Sequence, residues 1–361
     1  NFALNESFLN TSQLRSSVVS HAETLGYEVR SRVAAKALLN LSVNLAGVSG
    51  RPAQLQLPEG RQFTTSVDGV SYTFRTLETY FAKDNGSGVY NFLTTEGSDE
   101  IPVHEGEEKT KTFISGETEE RQVFVIPDET IDTKTASVLV FDTVSSTQFI
   151  QYTPLAEAST IDKDTTVFTI REAPNGFYEL NFGDGISFGK KPDPGNKIVV
   201  TYLSTKGPTA NLADTFTATS DLTVQGINYT ITAVTASEAT GGSFKQSIES
   251  VRQLAPLAFA SQQRMVTSAD YKAIILSNFS DVTDVAVWSG DQNVPIDYGK
   301  VYVSLNFPVG TTASTKTTTQ NNIVTNFTDA LGVISIDTEF VDPLDVFLEL
   351  AINFDFDPSL T

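Results

Sequence analysis

Alternation of apolar and polar side chains dominates the middle of the chain, from about residue 36 to residue 235. A period of two places every second side chain on the same face, which is typical of half-buried β-strands. Turn signals separate the alternating runs, for example Pro-Asn-Gly at 174–176 and Pro-Gly-Asn at 194–196. Many short strands at this spacing predict two sandwich or barrel-like β modules.

A helix is predicted before the first strand, because four apolar residues recur at helical spacing: Leu14, Val18, Ala22 and Leu25. Thr11 or Ser12 is expected to cap this helix, and Gly26 is expected to end it. Its apolar stripe must be buried against either a helix of another chain or the chain's own β module. The pattern then changes to alternation, and one strand face carries four residues: Leu39, Leu41, Val43 and Leu45.

Helical patterns return after about residue 240. The first of these helices carries Ile248, Val251 and Leu254 or Ala255 on one face. We expect it to end at Pro256, because proline has no backbone N–H and interrupts a helix.

A second helix of this segment begins at Thr267 or Ser268, and Asp270 can complete a capping box from Thr267. Its apolar stripe has four members: Tyr271, Ile274, Ile275 and Phe279. Two strands, a helix over 323–331 and two further strands follow, the last of them over 344–356. The order α-β-β-α-β-β predicts a small α+β domain with its helices on one face of a sheet.

The predicted fold class is therefore α+β and multidomain, with β-rich sandwich or barrel-like modules between an N-terminal helix and a C-terminal α+β domain. The expected units are a helical segment at 1–35, a first β module at 36–115, a second at 116–240 and the α+β domain at 241–361. The boundary between the two β modules is expected in the acidic stretch 96–132. The alternative is that this stretch is only a solvated face or loop. Because the chain lacks an initial methionine and stops just after a strand pattern, we expect it to be part of a longer polypeptide, with the last domain truncated.

Composition narrows the function classes. The formal charge is −20, from 44 acidic and 24 basic residues, which disfavours nucleic-acid binding because phosphate contacts need clustered lysine and arginine. No cysteine occurs, and this excludes disulfides, thiolate nucleophiles and zinc–thiolate sites. Uninterrupted apolar runs are only a few residues long, too short to cross a membrane.

Candidate chemistry is scarce. The two histidines, His21 and His104, lie outside any nucleophile elbow, and no H-E-x-x-H motif is present. Acidic residues are too numerous for one pair to be chosen for acid–base work. The acidic runs at 161–166 and 353–357 do not have the spacing of an EF-hand loop. We therefore predict no catalytic, cofactor-binding or metal-ligating residue.

The glycine-rich stretch 181–202 invites a different interpretation, as a loop that holds phosphate or calcium. It lacks the spacing of a Walker loop and of the dinucleotide fingerprint, and a strand follows it where a phosphate site needs a helix. Gly183, Asp184 and Gly185 are instead predicted to form a tight turn. There glycine accepts a positive φ and the aspartate side chain bonds its own backbone.

Two stretches, 176–213 and 247–305, resemble the signature of the baseplate J-like family, the baseplate wedge proteins of contractile-tailed phages. The second stretch carries recognisable elements in order: Arg252, Ala255-Pro256, Gln263-Arg264, Val266-Thr267, Asp270-Tyr271 and Gly299–Val303. The segment 4–32 is similar to members from T-even-type phages. Each element alone is modestly specific, but their order and spacing together are strong.

The resemblance implies a structural subunit of the virion that is not an enzyme and has no cofactor. Such subunits form dimers within and between wedges and contact other wedge subunits, the hub and sheath-initiator proteins. They join wedges into a ring whose rearrangement triggers sheath contraction, and they assemble in the host cytoplasm. Neither nucleic acid nor a membrane is an expected partner. Members of the T-even type are longer, so the resemblance implies that parts of a helical bundle or of a terminal contact are missing here.

Four residues of the family elements are candidate contacts at an interface: Arg252, Arg264, Asp270 and Tyr271. The arginines can equally be internal ion-pair partners in so acidic a chain. A tail protein that binds carbohydrate or adheres to the host is the alternative function, since such proteins also favour β modules. Adhesion needs exposed aromatic platforms, whereas Trp288 lies in an alternating strand and is expected in the core. A tail glycosidase that uses two carboxylates is a third interpretation.

Overall fold

The computed structural model describes residues 2–116, 122–158, 160–333 and 335–344. Within these ranges the α-helices are α1 (Phe2–Asn5), α2 (Arg15–Thr24), α3 (Ile248–Ser261), α4 (Ser268–Asn278), α5 (Ala313–Ile323) and α6 (Asp329–Leu331). A π-helical turn, Val324–Thr328, joins α5 to α6. Three short 3₁₀ turns occur at Leu155–Glu157, Gly207–Ala210 and Gly290–Gln292.

The strands within the same ranges follow in chain order. They are β1 (Lys36–Asn44), β2 (Gln54–Leu57), β3 (Gln62–Val67), β4 (Val70–Arg75), β5 (Tyr80–Asp84), β6 (Val89–Leu93), β7 (Glu100–Glu105), β8 (Glu107–Ile114), β9 (Phe124–Ile126), β10 (Ile131–Phe141), β11 (Phe149–Pro154), β12 (Val167–Glu172), β13 (Tyr178–Phe182), β14 (Lys197–Ser204), β15 (Thr217–Ala218), β16 (Leu222–Val224), β17 (Ile227–Tyr229), β18 (Ile231–Thr240), β19 (Asp284–Ser289), β20 (Lys300–Asn306) and β21 (Asp337–Phe340).

The first sheet is organised around β1. One edge of β1 pairs with β7 along its first half and with β6 along its second half, while the other edge pairs with β18. The strand order is β15-β3-β4-β7-β1-β6-β5-β2, and the sheet closes nearly into a barrel. The alternation predicted for β1 is confirmed, because Leu39, Leu41 and Val43 are buried in one core.

The second sheet has seven strands in the order β8-β14-β10-β11-β12-β13-β9. Its pairs are antiparallel except for β11 and β12, which run parallel. It has a separate core, in which Tyr152, Phe168 and Tyr178 pack beside aliphatic side chains of β10 and β14. The predicted fold class, α+β with several mostly β modules, is confirmed.

The second sheet is inserted into the first, because its strands lie between β7 and β15 in the chain. Gly106 is the single residue between β7 and β8. Sheet membership thus crosses the expected unit boundaries: β8 lies before 115 but belongs to the second sheet, and β15 and β18 lie before 240 but belong to the first. Pairing between strands distant in sequence decides this, and alternation within a strand carries no such information. The division into independent units stays a prediction.

Helix α2 buries part of its stripe against α3 of the same chain. Val18 and Ala22 are buried together with Val251 and Ala255 in a helical core. A helix of the same chain, which the sequence did not suggest, therefore covers these two residues, whereas Leu14 of the same stripe stays 49% exposed. The expected cap was also wrong. Leu14, whose side chain has no hydrogen-bond acceptor, occupies the N-cap position, and the hydroxyl of Ser12 instead donates to the carbonyl oxygen of Phe8 (2.9 Å).

Helix α3 does not end at Pro256, as the sequence predicted. It continues to Ser261, where Gln262 adopts a left-handed conformation with φ 47°. A proline removes one intrahelical hydrogen bond, and packing on both sides of it can outweigh that local loss. Here the first half of α3 packs on α2, and α3 also packs on α4.

The C-terminal unit follows the predicted order as far as it is described. Helix α4 begins with the predicted capping box, since Thr267 and Asp270 each bond the other's backbone N–H. The strands form a sheet in the order β19-β20-β21, with β20 and β21 parallel. The last predicted strand, at 344–356, lies outside the described residues apart from Leu344.

His104 in β7 is placed so that protonation is unfavourable. It lies opposite Lys36 of β1 and Arg75 of β4. Burial, assisted by the charge of Lys36, lowers the pKa of His104 from 6.5 to about 3. Its Nδ1 atom is buried without a hydrogen-bond partner among the described residues. The folded chain therefore keeps this imidazole neutral at pH values where the unfolded chain protonates it.

We expect His104 to make the fold less stable below about pH 6.5, because only the unfolded state then takes up the proton. Each pH unit between the two pKa values corresponds to about 1.4 kcal/mol, so lowering the pH from 7 to 5 should remove about 2 kcal/mol. Urea denaturation of the wild type and of His104→Gln at both pH values measures this. The variant should lack that component, and equal pH dependence in the two proteins would contradict the expectation.

Candidate functional site

The predicted turn residue Asp184 organises its own loop. Its Oδ1 atom accepts hydrogen bonds from the backbone N–H groups of Ile186 (2.8 Å), Ser187 (2.8 Å) and Phe188 (2.9 Å). These bonds favour the ionised carboxylate and lower the pKa of Asp184 below its usual value. The loop thus uses its carboxylate internally, as expected for a turn.

The two glycines beside Asp184 serve different purposes. Gly185 has φ 71°, a conformation that residues with a side chain adopt at a cost. Gly183 is required for space, because a Cβ atom there would lie 2.1 Å from the carbonyl oxygen of Phe188 and 2.2 Å from that of Gly189. Strand β14 follows farther along the chain and begins at Lys197. The three residues therefore hold two chain segments in close contact.

Arg252, a candidate interface residue, is engaged within the chain. Its guanidinium donates to the carbonyl oxygens of Leu9 (3.2 Å) and Ser12 (2.7 Å) and to both carboxylate oxygens of Glu249 (2.6 Å each). The arginine therefore fastens the segment that precedes α2 onto α3. Sequence reasoning had kept this internal role open as an alternative.

The other three candidate residues lie around the start of α4. The side chain of Asp270 forms part of the capping box, and Tyr271 is buried in the core of the C-terminal unit. Burial raises the pKa of the Tyr271 hydroxyl, partly offset by a hydrogen bond with Thr338. Arg264 is exposed and donates to the side chain of Gln262 (2.9 Å). Of the four, Arg264 has the side chain most open to a partner, and the role of all four at an interface stays a prediction.

A buried carboxylate that the sequence did not indicate joins three parts of the chain. Glu172, at the end of β12, has a side chain only 5% exposed. Arg15 at the start of α2 forms a bidentate salt bridge with it: Nε donates to Oε1 at 2.6 Å, and Nη2 donates to Oε2 at 2.9 Å. Lys245, just before α3, contacts the same Oε1 at 2.9 Å. We call this set of three residues the Glu172 junction.

Two further carboxylates hold the crossings between the sheets. Glu105 lies where the chain passes from the first sheet to the second, and Thr205 and Lys206 lie where it passes back. The Glu105 carboxylate accepts hydrogen bonds from the hydroxyl of Thr205 (2.6 Å) and from the backbone N–H of Lys206 (3.0 Å). Asp132 of β10 accepts from the N–H of Ala34, just before β1, at 2.8 Å. Burial raises the pKa of both carboxyls, and the hydrogen bonds oppose this. These contacts link residues about 100 positions apart, so no local pattern could reveal them.

The described part of the chain contains no group of three or more His, Asp or Glu side chains arranged to hold a metal ion. No helix in it has both the length and the apolar character needed to cross a membrane.

Comparison with known proteins agrees with the family resemblance. Residues 267–340 match the family model described as baseplate structural protein gp6, C-terminal domain I. Over 97% of its length the chain is 25% identical to baseplate wedge protein gp6 of Enterobacteria phage T4. The resemblance to baseplate wedge proteins is confirmed. The chain spans about half the length of that wedge protein, 52% of it.

Two solved structures are also similar in part. One is a chain of the TssK-TssF-TssG baseplate subcomplex of a type VI secretion system, with 8% identity, a TM-score of 0.43, and coverage of 90% of this chain and 91% of that one. The other is a chain of the baseplate of the anti-feeding prophage, with 11% identity, a TM-score of 0.28, and coverage of 91% and 61%. Likeness at these scores carries no functional argument.

Proposed function

We propose that this wedge homologue is a structural, non-enzymatic subunit of a phage tail baseplate. In this role it links neighbouring wedges into a ring around the central hub and passes on the rearrangement that triggers sheath contraction. One observation carries the proposal: the alignment with a baseplate wedge protein covers 97% of the chain. The family model for a baseplate structural protein supports it over residues 267–340.

The internal contacts suit a part that transmits force. A subunit that passes on a movement must resist bending where its own modules meet. The Glu172 junction, Glu105 and Asp132 all act at such meeting points, and each is a buried or largely buried acceptor. Buried and fully bonded polar groups hold a defined geometry, because loss of a partner leaves an unsatisfied group away from water.

The proposed partners follow from the resemblance. They are a second copy of the chain, as a dimer within and between wedges, together with other wedge subunits, the hub and sheath-initiator proteins. The proposed location is the tail baseplate of the virion, with assembly in the host cytoplasm. The adhesion alternative is not favoured, because Trp288 is half-buried, stacks on Tyr302 with ring centroids 5.8 Å apart, and donates to Asn293.

The proposal is tested by expressing the chain alone and together with the other wedge subunits of its phage. We expect a dimer by light scattering when it is alone, and a larger complex visible by electron microscopy when the partners are present. A chain that stays a monodisperse monomer and ignores the wedge subunits would overturn the proposed function. A glycan array on the same sample would show binding only if the adhesion alternative were correct.

A further inference from the structure

A loop of the C-terminal unit presents large apolar side chains to solvent. It connects β19 to β20 and contains Val294, Ile296 and Tyr298, which are 99%, 55% and 80% exposed. We call these three side chains the apolar prong. Single exposed apolar residues are common on protein surfaces, but three large ones at alternate positions of one loop are typical of an interaction site.

The polar residues of the same loop face the domain and hold the loop in place. Asn293 accepts a hydrogen bond from the indole Nε1 of Trp288 (2.9 Å), and Asp297 accepts one from the hydroxyl of Tyr302 (2.8 Å). The N–H of Asp297 also donates to the carbonyl oxygen of Gly290 (3.0 Å). Asn293 and Asp297, on either side of Val294 and Ile296, are thus bonded to side chains of β19 and β20, whereas Val294, Ile296 and Tyr298 remain exposed. A loop held in this way loses little conformational entropy when it binds.

A second loop extends the apolar surface. Gly299 accepts a hydrogen bond through its carbonyl oxygen from the N–H of Asp337 (2.9 Å), so the loop before β21 lies beside the prong. That loop exposes Val333 and Ile336. Val333 and Ile336 are therefore further exposed apolar residues on the loop next to the prong.

The charges around the prong are mainly negative. Asp291 and Asp337 are exposed beside it. Lys300 is already paired with Asp297 (3.1 Å) and with Glu339 (2.8 Å), so it does not offset them. Arg264 lies farther out, next to Met265, which pairs with Gly332. A surface that fits this one would be apolar at its centre and basic at its edge.

We propose that the apolar prong inserts into an apolar pocket with a basic rim on a different protein subunit of the baseplate. This proposal rests on the proposed function and adds a contact surface and the chemistry of its partner. A second copy of the chain fits less well, because two-fold pairing here would bring Asp291 and Asp337 towards their own counterparts. A membrane surface fits less well too, since anionic headgroups repel the same carboxylates.

The test compares two variants in assembled baseplates. In one, Val294→Ser, Ile296→Ser and Tyr298→Ser are combined; in the matched control, Val309→Ser changes a 98% exposed residue at the opposite end of β20. All four side chains are exposed, so both variants should melt at the wild-type temperature. We expect the triple variant to enter baseplates at least about tenfold less than wild type, because the prong would be the buried centre of its interface. The control should enter normally.

Photo-cross-linking identifies what the prong contacts. With p-benzoylphenylalanine in place of Tyr298, irradiated baseplates should yield a cross-linked peptide from another protein, with lysine or arginine near the attachment point. Cross-links to the chain's own copy would overturn the proposal, as would normal incorporation of the triple variant. Prong-dependent binding to phosphatidylglycerol vesicles would overturn it in favour of a membrane. If instead the wild-type chain is absent from baseplates, the proposed function itself fails.

Discussion

Replacing Glu172 by alanine is expected to lower the free energy of unfolding by about 2–3 kcal/mol. The change leaves Arg15 and Lys245 facing each other without their shared carboxylate, and both cations are largely withdrawn from water. Removing one member of a buried ion pair is costly because the remaining charge stays poorly solvated. Urea denaturation at pH 7 measures the loss.

Two control variants separate the charge from the shape of Glu172. Glu172→Gln keeps an acceptor of the same size but removes the charge, so its loss of stability should be smaller than that of the alanine variant. Glu249→Ala removes a carboxylate that also pairs with an arginine but is 75% exposed, and it should cost less than about 1 kcal/mol. If Glu172→Ala and Glu249→Ala lowered the free energy of unfolding equally, the Glu172 junction would contribute no more than an exposed ion pair, which would contradict the prediction.

Replacing Gly183 by alanine should be about as damaging, with an expected loss of about 3 kcal/mol. The new methyl group would overlap two carbonyl oxygens, those of Phe188 and Gly189, and the backbone cannot yield without opening the loop. Opening would break the hydrogen bonds that Asp184 accepts from three backbone N–H groups. Hydrogen exchange should therefore quicken at residues 186–188, and calorimetry should show a lower melting temperature.

Gly195→Ala is the matched control for this loop. Gly195 has φ 86°, but a Cβ atom there meets nothing within 4 Å. The substitution therefore carries only the cost of a left-handed backbone, about 1 kcal/mol. If Gly183→Ala were no worse than Gly195→Ala, the close approach at Gly183 would not be what holds the loop together.

The first of these effects concerns a contact between modules and the second a contact within the second sheet, and both matter for a subunit of the proposed kind. The Glu172 junction binds α2 and the residues before α3 to the second sheet. The Asp184 loop closes one end of the same sheet, where Gly189 also donates its N–H to the carbonyl oxygen of Asp162 (2.8 Å). Loosening the Glu172 junction is expected to let the helices move separately from the second sheet, and a movement imposed on one would then be lost before it reached the other.

Local structure was predictable where side chains within one element decide it. The alternation in β1 correctly predicted its buried face, and the spacing of Thr267 and Asp270 correctly predicted the capping box of α4. Both depend on contacts only a few residues apart. The same local rules were wrong at Pro256, because helices α2 and α4 pack on α3 and support it beyond the proline.

For the candidate interaction surfaces, too, the sequence was a guide only where local contacts decide the outcome. The sequence stretch that holds the family elements pointed to Arg252 and Tyr271, yet the first is tied to the segment before α2 and the second lies in a core. The exposed prong was not predicted, because hydrophobic residues in a loop do not reveal whether they face the core. Its polar neighbours Asn293 and Asp297 decide this by bonding Trp288 and Tyr302, and those pairings are visible only in the folded unit.

By itself the sequence determined the buried face of β1, the capping box of α4, the absence of cysteine chemistry, the strongly acidic composition and the resemblance to baseplate wedge proteins. Each of these depends on residue type and short spacing. Only the tertiary structure decided that the second sheet is inserted into the first, that α2 packs on α3, and that Glu172 joins Arg15 to Lys245. The physical reason is that these contacts join residues far apart in the chain, and which distant partners meet is set by how the whole molecule buries its apolar surface and pairs its charges.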